Sequence, residues 1–396
     1  MPIDAESLRD TLAGELGSRD SRWRFSSTAI RSYSLVVAIV AVWVIFAAIT
    51  GGIFLEPRNF SNLIRQTAVT GILSVGMVLV IVAAQIDLSV GSLVGLSGLA
   101  AVMVQTITHA GIAVSLLTAL GVGLTVGALQ GWLTAYAGIP SFIVTLGGLL
   151  AWRGMAQGMS GGRTYPVELQ SFTALGQSYT SKATGIVMMI LSVAATAGLV
   201  LRERAMQRRH GVESWSAGGL VARVVVPSVL IVAFVIVLNA YAGVPIPVLL
   251  FVAIAAAGTF LMANTTFGRR LYAVGGNVEA ARLSGINVQR QILWAFCILG
   301  MLSGIAAIIY TARLGSASPD AGTLLELDAI AACVIGGASL MGGRGTVLGA
   351  CLGALFMASL DNGMSLKDVP DFVQNIVKGG ILVTAVGLDV FARRRN

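Results

Sequence analysis

Side chains able to do acid–base or ion-binding chemistry are scarce in the apolar parts of this sequence. The clearest is Asp87, which stands between two apolar runs in the segment Gln85–Ser92. A carboxylate at the centre of a bilayer costs about 2.5–3.5 kcal/mol on insertion scales, so it needs a partner or water. Either Asp87 or Ser89 caps the next helix by accepting backbone N–H groups, or the helix is discontinuous at the path of a transported solute.

A second glycine-marked break resembles the first one. The residues Ser89–Gly95 align loosely with Gly343–Gly349, 254 positions later, and small-residue helices follow both segments. Many transporters are built from repeats, so an internal duplication is one explanation of this likeness. Two ladders of glycine at four-residue spacing predict close contacts between helices: Gly123, Gly127 and Gly131 form one, and Gly345, Gly349 and Gly353 form the other.

Other groups that could drive chemistry are few. No P-loop pattern (Gly-x4-Gly-Lys-Ser/Thr) occurs, so the chain does not bind ATP by that route. The histidines and lysines fall in loops or near the ends of apolar runs, which argues against a proton relay or an ion filter. The three cysteines lie inside apolar runs without metal-type spacing. We therefore expect no metal and no cofactor on this chain, a neutral polar solute in the path, and any energy source on another chain.

The elements that position these residues belong in a membrane. Of the 396 residues, 56% are hydrophobic and 11% are charged, and the mean hydropathy is +0.85. Soluble domains are nearer ~45–50% apolar and ~25% charged, so this composition excludes an ordinary soluble enzyme and a disordered chain. The 48 glycines show no collagen period and favour close helix packing and broken helices in lipid.

Apolar runs that cross about 30 Å of hydrocarbon need roughly 20 residues each. Twelve runs are predicted, at 33–54, 67–84, 88–106, 112–136, 140–158, 183–201, 221–240, 247–263, 291–311, 327–341, 346–360 and 375–391. Several are short, and 327–360 could form one re-entrant unit, so the expected number of spans is 10–12. The predicted fold is an all-α integral membrane protein, a polytopic helical bundle with discontinuous helices.

The net charge of +8 is concentrated in four basic segments between the apolar runs. The positive-inside rule places all four in the cytoplasm, and the even numbers of predicted spans between them agree with that placement. Both termini are then cytoplasmic. The predicted organisation is a cytoplasmic tail (1–32), one transmembrane domain (33–391) with an extra span pair (183–240), and a basic tail (392–396). The arginines of the four segments are Arg9, Arg19, Arg22, Arg24 and Arg31; Arg202, Arg204, Arg208 and Arg209; Arg269, Arg270, Arg282 and Arg290; and Arg393, Arg394 and Arg395.

The basic segment 264–290 is too polar to span a membrane and too patterned to be a simple linker. Asn277 is placed to cap a short helix that begins at Val278, and Gly285 is placed to end it in the left-handed conformation. Such a helix of about two turns on the cytoplasmic face is either a docking element for a partner or a surface cap on the bundle.

The same segment carries motifs of a known family. Glu279-Ala280-Ala281, with Gly285 four residues later, resembles the EAA loop of the permeases of ABC importers. The Ile-x-Leu-Pro ending of the EAA loop in other branches is absent after Gly285. Further motifs resemble the sugar branch related to ribose permeases: Phe267–Arg270, Gly275–Asn277, Ile86–Ser92, Pro140–Leu146 and Ile335–Leu340. The segment Asp361–Ser365 and the extra span pair are similar to the D-xylose permeases rather than to the shorter ribose type.

This resemblance implies a multi-pass permease subunit of an ABC sugar importer in the bacterial inner membrane. It implies two copies of the chain, two ATP-binding subunits on the cytoplasmic face and a periplasmic sugar-binding protein, with ATP and Mg on the partner ATPase. The chain itself would then not be an enzyme. The assignment of D-xylose rests on resemblance alone. The alternative is an ion-coupled secondary sugar transporter, for which buried titratable groups would be expected.

Two sets of candidate residues follow from the breaks and the resemblance. Coupling to the ATPase is assigned to Arg269, Arg270, Asn277, Glu279, Ala280, Ala281 and Gly285. The substrate path is assigned to Gln85, Asp87, Ser89, Gly91, Ser92, Phe142, Thr145, Gly345 and Thr346.

Overall fold

The computed structural model describes residues 27–209 and 217–394. Most of the predicted N-terminal tail (1–26), part of the second basic loop (210–216) and the last residues of the basic C-terminus (395–396) lie outside the described residues. Among the described residues, helix starts at Ser27, inside the segment that was assigned to the tail.

Helices make up most of the described chain. The α-helices are α1 (Ser27–Ile49), α2 (Pro57–Val82), α3 (Val90–Thr108), α4 (Ile112–Ala135), α5 (Ser141–Ser160), α6 (Gln170–Gln177), α7 (Lys182–Arg209), α8 (Ala217–Tyr241), α9 (Ile246–Asn264), α10 (Thr266–Gly276), α11 (Val278–Leu283), α12 (Val288–Leu314), α13 (Leu325–Ile335), α14 (Val347–Leu366) and α15 (Asp371–Arg394). A 3₁₀ turn (Ile53–Leu55) and two short strands, β1 (Tyr165–Pro166) and β2 (Ser316–Ala317), complete the described structure.

Each predicted apolar run coincides with a helix, which confirms the polytopic all-α class. Eight helices of the described ranges are long and apolar enough to cross a membrane. One predicted span is wrong. The run 327–341 forms only the 11-residue helix α13, whose length of about 16 Å falls short of the ~30 Å hydrocarbon core. An irregular segment from Gly336 to Thr346 follows, which matches the alternative that 327–360 is one broken unit.

Helix α2 occupies the centre of the bundle because small residues on it let neighbouring helices approach. Gly71 lies against the ring of Phe251 on α9, and Gly76 lies against Leu299 on α12. In the apolar window of α2, 89% of the residues are buried, compared with 6% in α7 and in α8. In lipid, helices associate mainly by such close packing, so α7 and α8, the extra pair, lie at the periphery of the chain.

The first glycine ladder lies in a close contact between α4 and α12. A Cβ atom added at Gly123 would overlap the carbonyl oxygen of Gly300, and one added at Gly127 would lie 2.5 Å from the carbonyl oxygen of Phe296. Gly131 lies against the Cβ of Phe296 one turn further on. The prediction that this ladder marks a helix contact is confirmed.

The prediction of a helix contact at the second ladder is confirmed for two of its three glycines. Gly349 and Gly353 on α14 lie against the backbone carbonyls of Gly336 and Ala332, so α13 and α14 touch through their backbones. Gly345 precedes α14 and has a φ of +154°, which places it in the break rather than on the helix face.

Loops that were predicted to share one side of the membrane do lie together. At one end of the bundle, called here the strand end, β1 pairs antiparallel with β2, and Tyr179 forms a bridge with Pro245. At the other end, called the α10 end, Gly275 of α10 packs against Val82 at the end of α2. The orientation of the termini relative to the cytoplasm stays a prediction.

A pair of valine substitutions on α4 tests the contact with α12. Gly123→Val should destabilise the protein by about 1–3 kcal/mol or more, because the backbones of the two helices would have to separate. The control is Gly121→Val, two residues away, where no described atom lies within 4 Å of the new Cβ. The measurement is the thermal unfolding midpoint of the purified permease in detergent. Equal losses in both variants would contradict the assigned contact.

Candidate functional site

The first break in the bundle is held by a single carboxylate. Helix α2 ends at Val82, and α3 begins at Val90. Between them Asp87 is 2% exposed, and its Oδ1 accepts hydrogen bonds from the backbone N–H and the hydroxyl of Ser89, each at 2.7 Å. Asp87 therefore accepts a backbone N–H at the start of α3, as predicted for one of the two candidate capping residues. Ser89 occupies the N-cap position of α3, but within the described structure its side chain makes no capping bond.

Two neighbouring helices pin the same break from the side. The Nε2 of Gln130 on α4 donates to the Ser89 hydroxyl at 2.7 Å. From α5, the hydroxyl of Ser141 accepts the N–H of Ile86 at 3.2 Å, and the hydroxyl of Thr145 donates to the Ile86 carbonyl at 3.3 Å. These links give the N–H and the carbonyl of Ile86 partners from α5, as irregular backbone in a membrane requires.

Several polar groups around the break have unused hydrogen-bonding capacity. Among the described residues, the Oε1 of Gln130, the Nε1 of Trp152 and the Oε2 of Glu326 are buried without a hydrogen-bond partner. Gly148 provides the space between two of them, because a Cβ there would lie 2.8 Å from the Trp152 nitrogen and would overlap the Gln130 amide. Such unpaired groups are suited to a bound water or hydroxyl.

Sequence reasoning missed Gln130, Trp152 and Glu326. The available signal was the polar atoms of Gln130 and Trp152 within predicted apolar runs and the position of Glu326 directly before one. Glu326 approaches Gly91 of α3 so closely that a Cβ on Gly91 would overlap its carboxylate. The Nη1 of Arg153 donates to the carbonyl of Ala321 at 2.8 Å and so ties the loop before α13 to α5.

The predicted path residues do not share one surface. Asp87, Ser89, Gly91, Ser92 and Thr145 are buried inside the chain. The remaining candidates are partly or largely exposed: Gln85, Phe142, Gly345 and Thr346. The described structure thus gives several of these residues a structural role, and their assignment to the substrate path stays a prediction.

Two of these residues illustrate such a role. The hydroxyl of Ser92 donates to the Ser89 carbonyl at 2.8 Å, within the first turn of α3. The hydroxyl of Thr346 accepts the N–H of Gly349 at 3.0 Å, and so caps the start of α14.

The two breaks and helix α10 meet at one junction. The N–H of Gly343, in the second break, donates to the carbonyl of Val82 at 2.9 Å. Gly275 of α10 packs so tightly between these residues that a Cβ would overlap the Val82 carbonyl. The hydroxyl of Tyr272, also on α10, donates to the Gly345 carbonyl at 2.6 Å. A displacement of α10 therefore acts directly on both breaks.

The predicted short helix is confirmed as α11, Val278–Leu283. The Oδ1 of Asn277 accepts the N–H of Ala280 at 2.9 Å, which is the predicted N-cap bond. Gly285 has a φ of +77°, the left-handed conformation that favours glycine after a helix end.

The side chains of α11 point in two directions. Ala281 is 3% exposed and packs into the core of its own chain, and its assignment to coupling stays a prediction. Ala280 is exposed, as are Arg269 and Arg270 on the preceding helix α10. Leu283 is 88% exposed, and Glu279 and Arg282 form an exposed ion pair at 3.0 Å beside it.

A partly buried ion cluster at the strand end was also missed, because its members are distant in sequence. Nζ of Lys378 lies 3.1 Å from Oδ1 of Asp328 and 2.8 Å from Oδ1 of Asp361. Sequence reasoning placed Lys378 and Asp328 near the ends of spans as isolated charges. The tertiary structure brings α13, α14 and α15 together around one cation.

These features define the class of protein, which is a helical membrane bundle with two interrupted helices. Both interruptions contact α10, and α10 leads into the short exposed helix α11 at one end of the bundle. The chain belongs to the family described as branched-chain amino acid transport system / permease component, which matches residues 59–386. It is therefore a permease component, a multi-pass protein of the bacterial inner membrane.

The chain is similar to xylose and ribose permease proteins. The chain is 46% identical over 370 residues to the xylose transport system permease protein of Escherichia coli (strain K12), covering 93% of this chain and 94% of that protein. The corresponding protein of Haemophilus influenzae is 44% identical over 376 residues, 94% of this chain and 100% of that protein. The ribose import permease protein of Escherichia coli (strain K12) is 32% identical over 366 residues, 92% of this chain and 95% of that protein. No solved structure matches the chain. The resemblance noted in the sequence is thereby confirmed.

Two substitutions of Asp87 separate hydrogen bonding from charge. Asp87→Asn keeps an oxygen that accepts the N–H and hydroxyl of Ser89, so we expect nearly normal stability and substantial transport. Asp87→Leu leaves the buried Ser89 N–H without an acceptor, which should cost about 1–3 kcal/mol. Thermal unfolding and sugar uptake are measured for both variants. Equal losses in the two variants would show instead that the negative charge is required.

Proposed function

We propose that this chain is the membrane-spanning subunit of an ABC importer that moves D-xylose into the cell, with ATP hydrolysed by a separate subunit. The observation that carries this proposal is the similarity, over nearly the whole chain, to proteins named as xylose transport system permeases. The junction of α10 with both breaks supports a coupled transporter, because it offers a rigid route from one end of the bundle to its interior. ATP and Mg would be bound by the partner ATPase, so this chain needs no cofactor.

The proposed assembly contains two copies of this chain, two ATP-binding subunits and a periplasmic sugar-binding protein. A homodimer is supported by the exposed face of α5, which presents Gly147, Gly154 and Gly158 with no described atom near the Cβ position. Small residues along a lipid-exposed helix face let a second backbone approach closely.

The docking surface for the ATPase is proposed to be the outer face of α11. Leu283 is an almost fully exposed leucine among polar neighbours, and Glu279 and Arg282 flank it. An apolar centre within a polar rim is the usual arrangement of a protein–protein interface. The inward face of α11, with Ala281, holds the helix to the bundle and transmits its displacement.

In this mechanism, closure of the ATPases moves α10 and α11, and the junction at Tyr272 and Gly275 shifts both breaks. Binding of ATP and of the loaded sugar-binding protein each favours one of two arrangements, and their differential affinity supplies the change. The alternative, an ion-coupled secondary sugar transporter, would draw its energy from a gradient. The partly buried Lys378 cluster is the feature of this structure that a proton-coupled mechanism could use.

Uptake by the reconstituted assembly tests the proposed function. Proteoliposomes with the permease, its ATPase and the binding protein should accumulate labelled D-xylose only with ATP, and labelled ribose should enter more slowly. Two permease copies should be found for each assembly. Uptake driven by a proton or sodium gradient without ATP would support the secondary transporter instead and overturn the ABC assignment.

Leu283→Ala tests the docking surface. Removing this exposed side chain should cost about 1.4 kcal/mol of the free energy of binding to the ATPase. This loss corresponds to an affinity about tenfold weaker. The matched control is Leu314→Ala, at the strand end of α12, where the leucine is 51% exposed. Co-purification of the ATPase and sugar-stimulated ATP hydrolysis are measured for each variant. If Leu283→Ala and Leu314→Ala behave alike, the docking surface lies elsewhere.

A further inference from the structure

A polar cavity of about 450 Å³ lies at the strand end, within a single chain. Its walls come from the strand-end parts of α12, α13, α14 and α15 and from the middle of α2, so it opens at the opposite end from α10. Pockets that hold small ligands have volumes of roughly 300–1,000 Å³, so the cavity has room for a monosaccharide. We refer to it as the strand-end cavity.

The Lys378 cluster forms one wall of the strand-end cavity. Lys378 lies between Asp328 and Asp361, and all three side chains line the space. Lys378 contacts both oxygens of Asp328 but only Oδ1 of Asp361, and a carboxylate can accept about four hydrogen bonds, so both aspartates keep acceptor capacity. One ammonium therefore does not use up the acceptors of this wall.

The cavity lining also contains a guanidinium group. Arg313 lies with its guanidinium carbon 5.8 Å from the centre of the Tyr310 ring, and both residues line the cavity. The Nε of Arg313 is itself buried, so the donors that this side chain can offer to a ligand are the outer N–H groups of the guanidinium.

The chemistry of the lining selects the class of ligand. Three carboxylates and two cations line the cavity, so its net formal charge is negative and an anion is disfavoured. A hydroxyl group both donates and accepts, so a polyhydroxylated ligand pairs with the carboxylates and with the guanidinium at once. The amides of Gln374 and Asn375 add further donors and acceptors, and an aromatic ring such as that of Tyr310 can cover the apolar face of a sugar.

We propose that the strand-end cavity is a binding site for a neutral monosaccharide, one in each chain. The inference rests on the proposed function for the identity of the sugar, D-xylose. It gives a role to the segment Asp361–Ser365, which supplies two lining residues and is the segment that resembles the D-xylose permeases in the sequence. In this role the site receives sugar at the strand end before the sugar passes through the bundle.

Protection of an introduced thiol tests the site directly. Ser365 lines the cavity and is exposed, so Ser365→Cys should react with a maleimide in the full-length permease in proteoliposomes. Saturating D-xylose should slow this reaction about tenfold, because only the unoccupied fraction reacts. The matched control is Asp320→Cys, an exposed position at the same end that does not line the cavity. Wild type measures labelling of the native cysteines, and glycine betaine at equal osmolarity controls for solute effects.

Adding Asp361→Asn to Ser365→Cys should abolish most of the protection while leaving the rate without sugar unchanged. Equal labelling with and without D-xylose, or protection that survives Asp361→Asn, would overturn the site. Uptake by the complete assembly is measured in parallel. Uptake without protection would contradict the binding site but not the proposed function. Protection without uptake would contradict the proposed function but not the binding site.

Discussion

In a bilayer no water is available to pair with the backbone, so a helix can be interrupted only where protein groups replace its lost hydrogen bonds. Both interruptions of this bundle obey that constraint. Asp87 accepts the N–H of Ser89 in the first break, and the second break donates from Gly343 to the Val82 carbonyl. Because the second break forms a hydrogen bond with the end of α2, where the first break begins, the helices that flank the two breaks lie close together at this junction.

That proximity depends on residues without side chains. Gly275 lets α10 reach the Val82 carbonyl, and Gly300 lets α12 reach α4. In lipid, where apolar side chains gain little from leaving their surroundings, such contacts contribute much of the stability. The same contacts link α11 to the interior, so the surface that we propose for docking is connected to both breaks through packed backbone rather than through flexible loops.

Polar groups inside the bundle form two separate regions. One surrounds Asp87 and includes Gln130 and Glu326, and the other surrounds Lys378 at the strand end. In the Lys378 region, opposite charges approach one another from different helices, which offsets part of the cost of keeping them out of water. In the other region, the carboxylate of Asp87 is held by its hydrogen bonds with Ser89. A neutral sugar is compatible with both regions, because its hydroxyl groups exchange hydrogen bonds with them without adding charge.

The sequence by itself determined the membrane class, the positions of the helices, the Asn277 and Gly285 boundaries of α11 and the glycine contacts, because each depends on local composition or on spacing along one helix. It also carried the resemblance to sugar permeases. Only the tertiary structure decided that α13 is too short to span, that Ala281 faces inward, and that Lys378 lies between Asp328 and Asp361. The physical reason is that helix periodicity shows which residues share a face, but which faces meet depends on packing between segments that are up to hundreds of residues apart.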